Sequence, residues 1–174
     1  MIMAARVRKL SLTAHVTSSV GWLGAVAVFL VLSVAGLTSR DEQVVRAAYI
    51  AMDWAAWFIL VPLALASLLT GIVQSLGTTW GLFRNYWVLI KLVLTVLATG
   101  VLLLYTQTLS YLAGVAADPA LSGGNLGGLR SPSPLLHAGA ALAVLLAAVT
   151  LSVFKPRGVT RYGQRKQQAR RARS

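Results

Sequence analysis

Four long stretches of the chain are apolar on all sides and almost free of charge. They cover residues 10–37, 47–76, 86–112 and 134–154. A hydrocarbon core about 30 Å thick requires about 20 residues of helix to cross it, and each stretch reaches that length. None of them shows the alternation of apolar and polar side chains that is typical of a membrane β-strand. The pattern therefore predicts an all-α membrane protein, a four-transmembrane-helix bundle.

Little of the chain lies outside these stretches. The remaining segments are a short N-terminus, three short loops and a basic tail over residues 155–174. These segments are too short to bury a separate soluble core. We therefore expect one transmembrane domain over residues 1–154, followed by the tail. The first stretch is longer than the roughly 7 to 15 apolar residues of a signal peptide, so we expect it to be retained.

The basic residues are distributed unevenly, and this predicts the orientation. Eight of the 16 Lys and Arg residues lie in the tail. The N-terminus and the second loop add Arg6, Arg8, Lys9 and Arg84, against Arg40, Arg46 and Arg130 on the other side. Lysine and arginine in short loops favour the cytoplasmic side. We expect a multi-pass protein of the cytoplasmic (inner) membrane with both termini in the cytoplasm.

The formal net charge of +12 raises the question of a polyanionic partner. No soluble fold remains to present the tail to a nucleic-acid groove, so nucleic acid is not expected. Anionic lipids are the favoured partner of the tail, because each basic residue near their surface contributes about 1 kcal/mol. The chain has no cysteine, which excludes disulfides and thiolate-bound zinc or iron–sulfur clusters.

Four ionisable residues lie inside the predicted spans, where such groups are costly and therefore informative. They are His15, Asp53, Lys91 and His137. At about 1.5 Å of rise per residue, His15 and Lys91 lie near the cytoplasmic face, and Asp53 and His137 near the outer face. The two histidines are then about 15 to 20 Å apart along the membrane normal, too far to ligate one haem together.

The inner group predicts a binding site for a cofactor or another anionic molecule. His15 would serve as a single axial metal ligand or a proton carrier, and Lys91 and Arg84 would hold the carboxylates of a porphyrin-like ligand. Trp22 shares a helix face with His15, and Trp87 flanks the inner end of the third span. Two structural alternatives remain open: Lys91 extends to the headgroups, and His15 bonds a neighbouring carbonyl or Ser18 or Ser19.

The outer group predicts a structural pair. Asp53 and His137 would neutralise each other between the second and fourth spans. No second acid, nucleophile or metal-ligand spacing accompanies them, so catalysis is not favoured at this pair, and we do not expect an enzyme. Pro62, in the interior of the second span, is expected to disturb the helix.

Three runs of sequence resemble a family of four-span actinobacterial membrane proteins without an assigned activity. They are residues 15–24, 77–92 and 155–163. This chain has Asn85, a poor metal ligand, where that family often has histidine. The pairs His15 with Trp22 and Trp87 with Lys91 also resemble copper-resistance D type proteins and the membrane protoporphyrinogen oxidases that bind haem b. The second resemblance implies haem b as the cofactor.

Three functions follow as hypotheses. The favoured one is the binding of a porphyrin-like or other anionic small molecule near the cytoplasmic leaflet. The alternative is a non-catalytic membrane scaffold or assembly partner that acts through its tail. The third is a small proton-coupled transporter, which would use Asp53 and His137, take Pro62 as a gate, and need a homo-oligomer to enclose a pathway.

Overall fold

A computed structural model describes residues 3–77, 82–119, 128–156 and 158–171 of the chain. Its helices are α1 Ala5–Thr38, α2 Glu42–Ala55, α3 Val61–Gly77, α4 Tyr86–Ala117, α5 Ser133–Phe154 and α6 Arg161–Arg171. A π-helical turn, Ala56–Leu60, joins α2 and α3 into one continuous element. This element and α1, α4 and α5 are long and apolar enough to cross a membrane. The predicted all-α bundle of four transmembrane helices is confirmed.

The helices extend beyond the apolar stretches that predicted them. Helix α1 begins at Ala5 rather than at residue 10, and α4 ends at Ala117 rather than at residue 112. The second span begins at Glu42, because the carboxylate of Asp41 accepts a hydrogen bond from Gln43 N at 2.8 Å and caps the helix there. Hydropathy therefore located the spans, whereas a local polar contact at Asp41 set the start of the second one.

The core lies where α1 packs against the second and fourth spans, and α4 adds Tyr105, Leu109 and Leu112 to it. Helix α1 places Trp22, Val26, Phe29 and Ser33 on one buried face, at a spacing of three or four residues, which is one helical turn. The Ser33 hydroxyl donates to Phe29 O at 2.8 Å, which satisfies the buried polar group within its own helix. Most other large apolar side chains of the spans are exposed, as expected for a surface that faces lipid.

The disturbance expected at Pro62 takes the form of the π-helical turn. Proline has no N–H to donate to the carbonyl one turn earlier. Directly before it, Val61 N donates to Ala56 O, a bond that spans five residues instead of four. Ala56 and Leu60 from this turn are buried in the core, so the wider turn contributes to helix packing.

The two ends of the bundle differ in charge. At the basic end, which comprises residues 3–9, 74–77, 82–91, 152–156 and 158–171, the N-terminal and C-terminal segments lie together. Met3 N donates to Gly77 O at 3.3 Å, and Tyr86 N donates to Gly158 O at 3.2 Å. The acidic end comprises residues 38–46, 116–119 and 128–133. It holds Asp41, Glu42 and Asp118, three of the four acidic residues of the chain.

The C-terminal segment begins with a backbone conformation that is unusual for its residue type. Lys155 ends α5 with φ 43°, in the left-handed region. This conformation destabilises a residue other than glycine by about 1 to 2 kcal/mol, so contacts with neighbouring residues must stabilise it. After Gly158 and Val159 the chain continues into α6, and the part of the predicted tail that the structure describes is therefore folded against the bundle.

Candidate ligand site at the basic end

A cavity of about 500 Å³ opens between α1, α3 and α4 at the basic end. Its walls combine apolar side chains, among them Leu12, Leu68 and Ile72, with a small set of polar and charged groups. The charged and imidazole groups are those of Arg8, Lys9, His15, Lys91 and Lys155. Its volume and mixed lining are typical of a small-molecule binding site.

Helices α1 and α3 form the part of the wall that holds His15. They run antiparallel, because Gln74 Nε2 donates to Arg8 O at 3.2 Å near one end of the pair, while Ser19 and Ser67 share a hydroxyl contact of 2.7 Å further along. His15 projects from α1 between these two contacts. Gly71 lies directly against the ring, since a Cβ atom at this position would come within 3.1 Å of His15 Cε1.

The hydrogen bonds of His15 fix the role of each ring nitrogen. Nδ1 lies 3.1 Å from Ser67 O and 3.2 Å from Thr70 Oγ1. Because a carbonyl oxygen only accepts, Nδ1 carries the hydrogen. In the neutral ring, Nε2 then presents its lone pair, and it makes no hydrogen bond to any residue that the structure describes. This arrangement is the one in which a histidine ligates a metal through Nε2 with its ring held by the other nitrogen.

Lys91 lies on α4, across the cavity from His15. Its Nζ donates to Ser152 Oγ at 2.5 Å and sits 5.7 Å from the centroid of the Trp87 ring. The ammonium group is therefore held within the bundle by a hydrogen bond to α5 and by a cation–π contact. The sequence left open that Lys91 extends to the lipid headgroups. This geometry instead directs its ammonium group toward Ser152 and Trp87.

The cavity has an unbalanced charge. Its lining contains Arg8, Lys9, Lys91 and Lys155, and no acidic residue. The chain has only four acidic residues, and they are Asp41, Glu42, Asp53 and Asp118. Three of these lie at the acidic end, and Asp53 lies in the first third of the second span, on the side of that end. The described part of the chain therefore places no acidic side chain in the cavity wall, and the potential of the cavity favours an anion.

The structure brings together three of the five residues predicted for this site. His15, Trp87 and Lys91 all line the cavity. Arg84 is not part of its described wall; it lies in the turn before α4, where its backbone carbonyl accepts a hydrogen bond from Thr160 N. Trp22 is also elsewhere, because seven residues along a helix displace it by about 10 Å from His15.

Trp22 lines a second, smaller and apolar cavity of about 220 Å³, together with His137. The two histidines of the chain therefore face different cavities, as their predicted depths required. The prediction missed Arg8, Lys9 and Lys155 as members of the first cavity. The two N-terminal cations were visible as basic residues, but they lie outside the predicted span and become wall residues only because α1 begins at Ala5.

The predicted outer pair is not formed. Asp53 Oδ1 accepts a hydrogen bond of 2.7 Å from Ser110 of α4, and Ser110 also receives one from Trp57. The His137 ring stacks on Tyr105 with centroids 3.8 Å apart, and its Nδ1 lies 2.8 Å from Ser133 O. Each residue found a neutral partner instead, so the expected neutralisation between the second and fourth spans was wrong.

A metal site made only of protein ligands is not found in the part of the chain that the structure describes. No three histidine or acidic residues there lie close enough to hold a metal ion together. His15 can act only as one ligand of a metal whose other ligands come with it, as the four ring nitrogens of a haem do. A free Nε2, apolar walls and cations for carboxylates fit that group.

Fold and site together define a helical multi-pass membrane protein with a cationic cavity at one end. Comparisons with protein-family models, with curated proteins and with solved structures gave no match. The functional argument therefore depends on the residues of this cavity.

Proposed function

We propose that this protein binds a porphyrin-like or other anionic small molecule in the cavity at its basic end. The observation that carries the proposal is that His15 and four cations share one cavity with no acidic residue. A ligand that brings negative charge would supply the missing counter-ions, and its apolar part would contact Leu12, Leu68 and Ile72. Helix α1 would position His15, and α4 would position Lys91.

Haem b is the form of this ligand that the imidazole favours. When bound, haem would supply a redox-active iron. The chain's own contributions are the Nε2 lone pair of His15, whose ring is held in place by Ser67 O, and the cations of the cavity wall for the two carboxylates. Because the cavity lining contains one histidine only, this protein would bind the iron through a single protein imidazole there.

The proposal includes an orientation. The basic end carries the N-terminal arginines, Lys155 and α6, so the positive-inside rule places this end in the cytoplasm and the cavity near the inner leaflet. Both termini are then cytoplasmic and the membrane is the inner one. Anionic lipid headgroups would contact the exposed side chains of Arg161 and Arg165 on α6.

The test is a titration of the purified protein in mild detergent with haemin and with metal-free protoporphyrin. Haemin should give a Soret band with a defined stoichiometry. His15→Ala should weaken haemin binding at least about tenfold, through loss of the axial bond, and change protoporphyrin binding much less. His137→Ala is the matched control, because this histidine faces the other cavity.

The outcomes separate the versions of the proposal. Binding of protoporphyrin without any preference for haemin would remove the haem version and leave an anion site. No binding of either porphyrin, together with no binding of amphiphilic dicarboxylates of similar size, would reject the proposed function.

A scaffold function is the second candidate, and the folded C-terminal segment favours it. Helix α6 presents Arg161 and Arg165 outward at the basic end, where a lipid or protein partner has access to them. In that case removal of residues 161–174 would abolish membrane-associated assembly, while His15→Ala and Lys91→Ala would have almost no effect. The transporter hypothesis loses its basis, because Asp53 and His137 do not share a site.

A further inference from the structure

We infer that residues 158–163, here called the docking segment, are a positioning element that holds Lys155 in the wall of the cavity. The inference rests on the proposed function and adds to it: part of the anion site is built by the C-terminal segment, outside the four spans. Lys155 would then bind an anionic group of the ligand, and the docking segment would determine whether it is in place to do so.

The docking segment is attached to the turn before α4 by main-chain hydrogen bonds. Tyr86 N donates to Gly158 O at 3.2 Å, and Thr160 N donates to Arg84 O at 3.0 Å. Between these bonds, Asn85 and Val159 face each other as an isolated antiparallel bridge. Two backbone bonds on either side of one residue pair fix both the distance and the register of the two segments.

Thr160 strengthens this attachment with its side chain. Its hydroxyl donates to Phe83 O at 2.5 Å and also accepts a hydrogen bond from Gly163 N at 3.1 Å. One hydroxyl group therefore joins the turn before α4 to the first turn of α6. Valine has the same shape and would make neither bond, whereas serine would make both.

Gly163 allows the two segments to approach closely. A Cβ atom at this position would come within 2.6 Å of Arg84 O and of Val159 Cγ1. The first of these is a backbone atom and cannot rotate away. An alanine at this position would therefore push the docking segment off the turn.

Lys155 lies between two fixed points. On one side its own N–H donates to Leu151 O at 3.2 Å, at the end of α5. On the other side Gly158, three residues later, is bonded to Tyr86. Its backbone is left-handed, with φ 43°, and its side chain lines the cavity. Detachment of the docking segment would break the bond between Gly158 and Tyr86, and Lys155 would then be fixed on the α5 side only.

The first experiment measures how much of the binding depends on ligand charge. Haemin and its dimethyl ester, which lacks the carboxylate charges, are titrated into wild type, Lys155→Gln, Thr160→Val and the double variant. Lys155→Gln should weaken haemin binding about fivefold and leave the ester unchanged. Thr160→Val should do the same, and the double variant should lose no more than either single variant.

Matched variants separate positioning from general damage. Thr160→Ser should restore haemin binding, and Thr150→Val, which removes a hydroxyl bonded only within α5, should match wild type. Gly163→Ala should behave as Thr160→Val does, whereas Gly139→Ala adds a Cβ atom in open space and should have no effect. Equal losses for haemin and ester, or additive losses in the double variant, would overturn the inference.

The second experiment tests the docking without any ligand. The chain has no cysteine, so Asn85→Cys with Val159→Cys introduces the only two thiols. A bridge pair flanked by its hydrogen bonds places the Cα atoms about 4.5 Å apart, within the range of a disulfide. Oxidation should cross-link this variant within one chain and keep haemin affinity at or above that of wild type. The control pair, Asn85→Cys with Gln164→Cys, should react much less.

The two experiments distinguish the failure of this inference from that of the proposed function. If the cross-link does not form while wild type binds haemin, the inference is wrong and the proposed function stands. If the cross-link forms and wild type binds neither porphyrin nor other amphiphilic dicarboxylates, the proposed function is rejected, and the positioning role of the segment is rejected with it.

Discussion

The two ends of the bundle use their polar groups in opposite ways. At the acidic end, Arg46 Nη1 donates to the carbonyls of Ala116 and Asp118, and Arg130 donates to Ser39 O. Tyr49 donates to Leu129 O. These charged and polar groups satisfy helix ends and connections. At the basic end, four cations line a cavity whose described wall contains no acidic residue. The comparison indicates that the polar groups of the acidic end contribute to the stability of the fold, and it supports the proposal that the basic end binds a ligand.

This difference between the acidic end and the basic end has a physical basis. A cation that binds the carbonyls at a helix C-terminus meets the negative end of the helix dipole and contributes to stability. Arg46 does so at the end of α4. Cations that face a shared cavity repel one another, and folding gains nothing from that repulsion. Substitutions at the acidic end should therefore change stability, and substitutions at the basic end should change binding.

The largest effect is expected for a charge reversal in the cavity. Lys91→Glu replaces an attractive charge by a repulsive one, a change of two charges that corresponds to about 2 kcal/mol, or about 30-fold weaker haemin binding. Arg130→Glu is the control at the acidic end and should leave the affinity unchanged. Absorbance titrations measure both. Equal losses in the two variants would mean that the position of the charge does not matter, and the comparison would fail.

A loss of stability without a loss of porphyrin affinity is expected for Tyr49→Phe. The hydroxyl of this buried tyrosine donates to the carbonyl of buried Leu129, and its removal takes this hydrogen bond from a carbonyl that keeps the one from Ser131 N. We expect a loss of about 1 to 2 kcal/mol in the free energy of unfolding, with unchanged porphyrin affinity. Tyr111→Phe, at an exposed tyrosine, is the control. Thermal unfolding in detergent gives the stability, and a loss of affinity without a loss of stability would contradict the division.

A smaller effect is expected for Gly71→Ala, at the contact between α3 and His15. The added Cβ atom would lie 3.1 Å from Cε1, so the ring must move by a few tenths of an ångström. That shift loosens the bond from Nδ1 to Ser67 O, which holds Nε2 in position. We expect haemin affinity to fall about threefold, because small displacements of a supporting contact weaken metal ligation only moderately. Gly100→Ala, where the new Cβ atom meets open space, should match wild type.

The sequence predicted the spans and part of the site for the same reason. Both depend on local properties: the length of an apolar run, and the depth of a residue counted from its end. His15 and Lys91 were placed in one layer by this count, and they line one cavity. Trp22 was assigned to the site by helix face alone, and its depth, two turns away, places it in the other cavity.

The remaining members of the site depend on contacts between distant parts of the chain. Lys155 reaches the wall because residues 158–163 pair with residues 83–86, and no local pattern in the sequence indicates that pairing. The sequence paired Asp53 with His137 on the basis of charge and depth. In the structure each is bonded to a neutral group instead, Asp53 to Ser110 of α4 and His137 to Ser133 of α5. Hydropathy says how deep a residue lies, and it does not say which residues surround it.

The smallest effect is expected for Asp53→Asn. An aspartate without a partner in a span would cost several kcal/mol in lipid, and a hydrogen-bond donor reduces that cost. Here the Ser110 hydroxyl donates to Oδ1, a bond that the amide oxygen of asparagine would also accept. We therefore expect a change in unfolding free energy below about 0.5 kcal/mol and no change in haemin affinity. Asp53→Leu, which loses the acceptor and leaves Ser110 without that bond, should be measurably less stable than Asp53→Asn. If Asp53→Asn instead reduced haemin binding, the carboxylate near the acidic end would be coupled to the cavity at the basic end, and the two ends could no longer be assigned separate tasks.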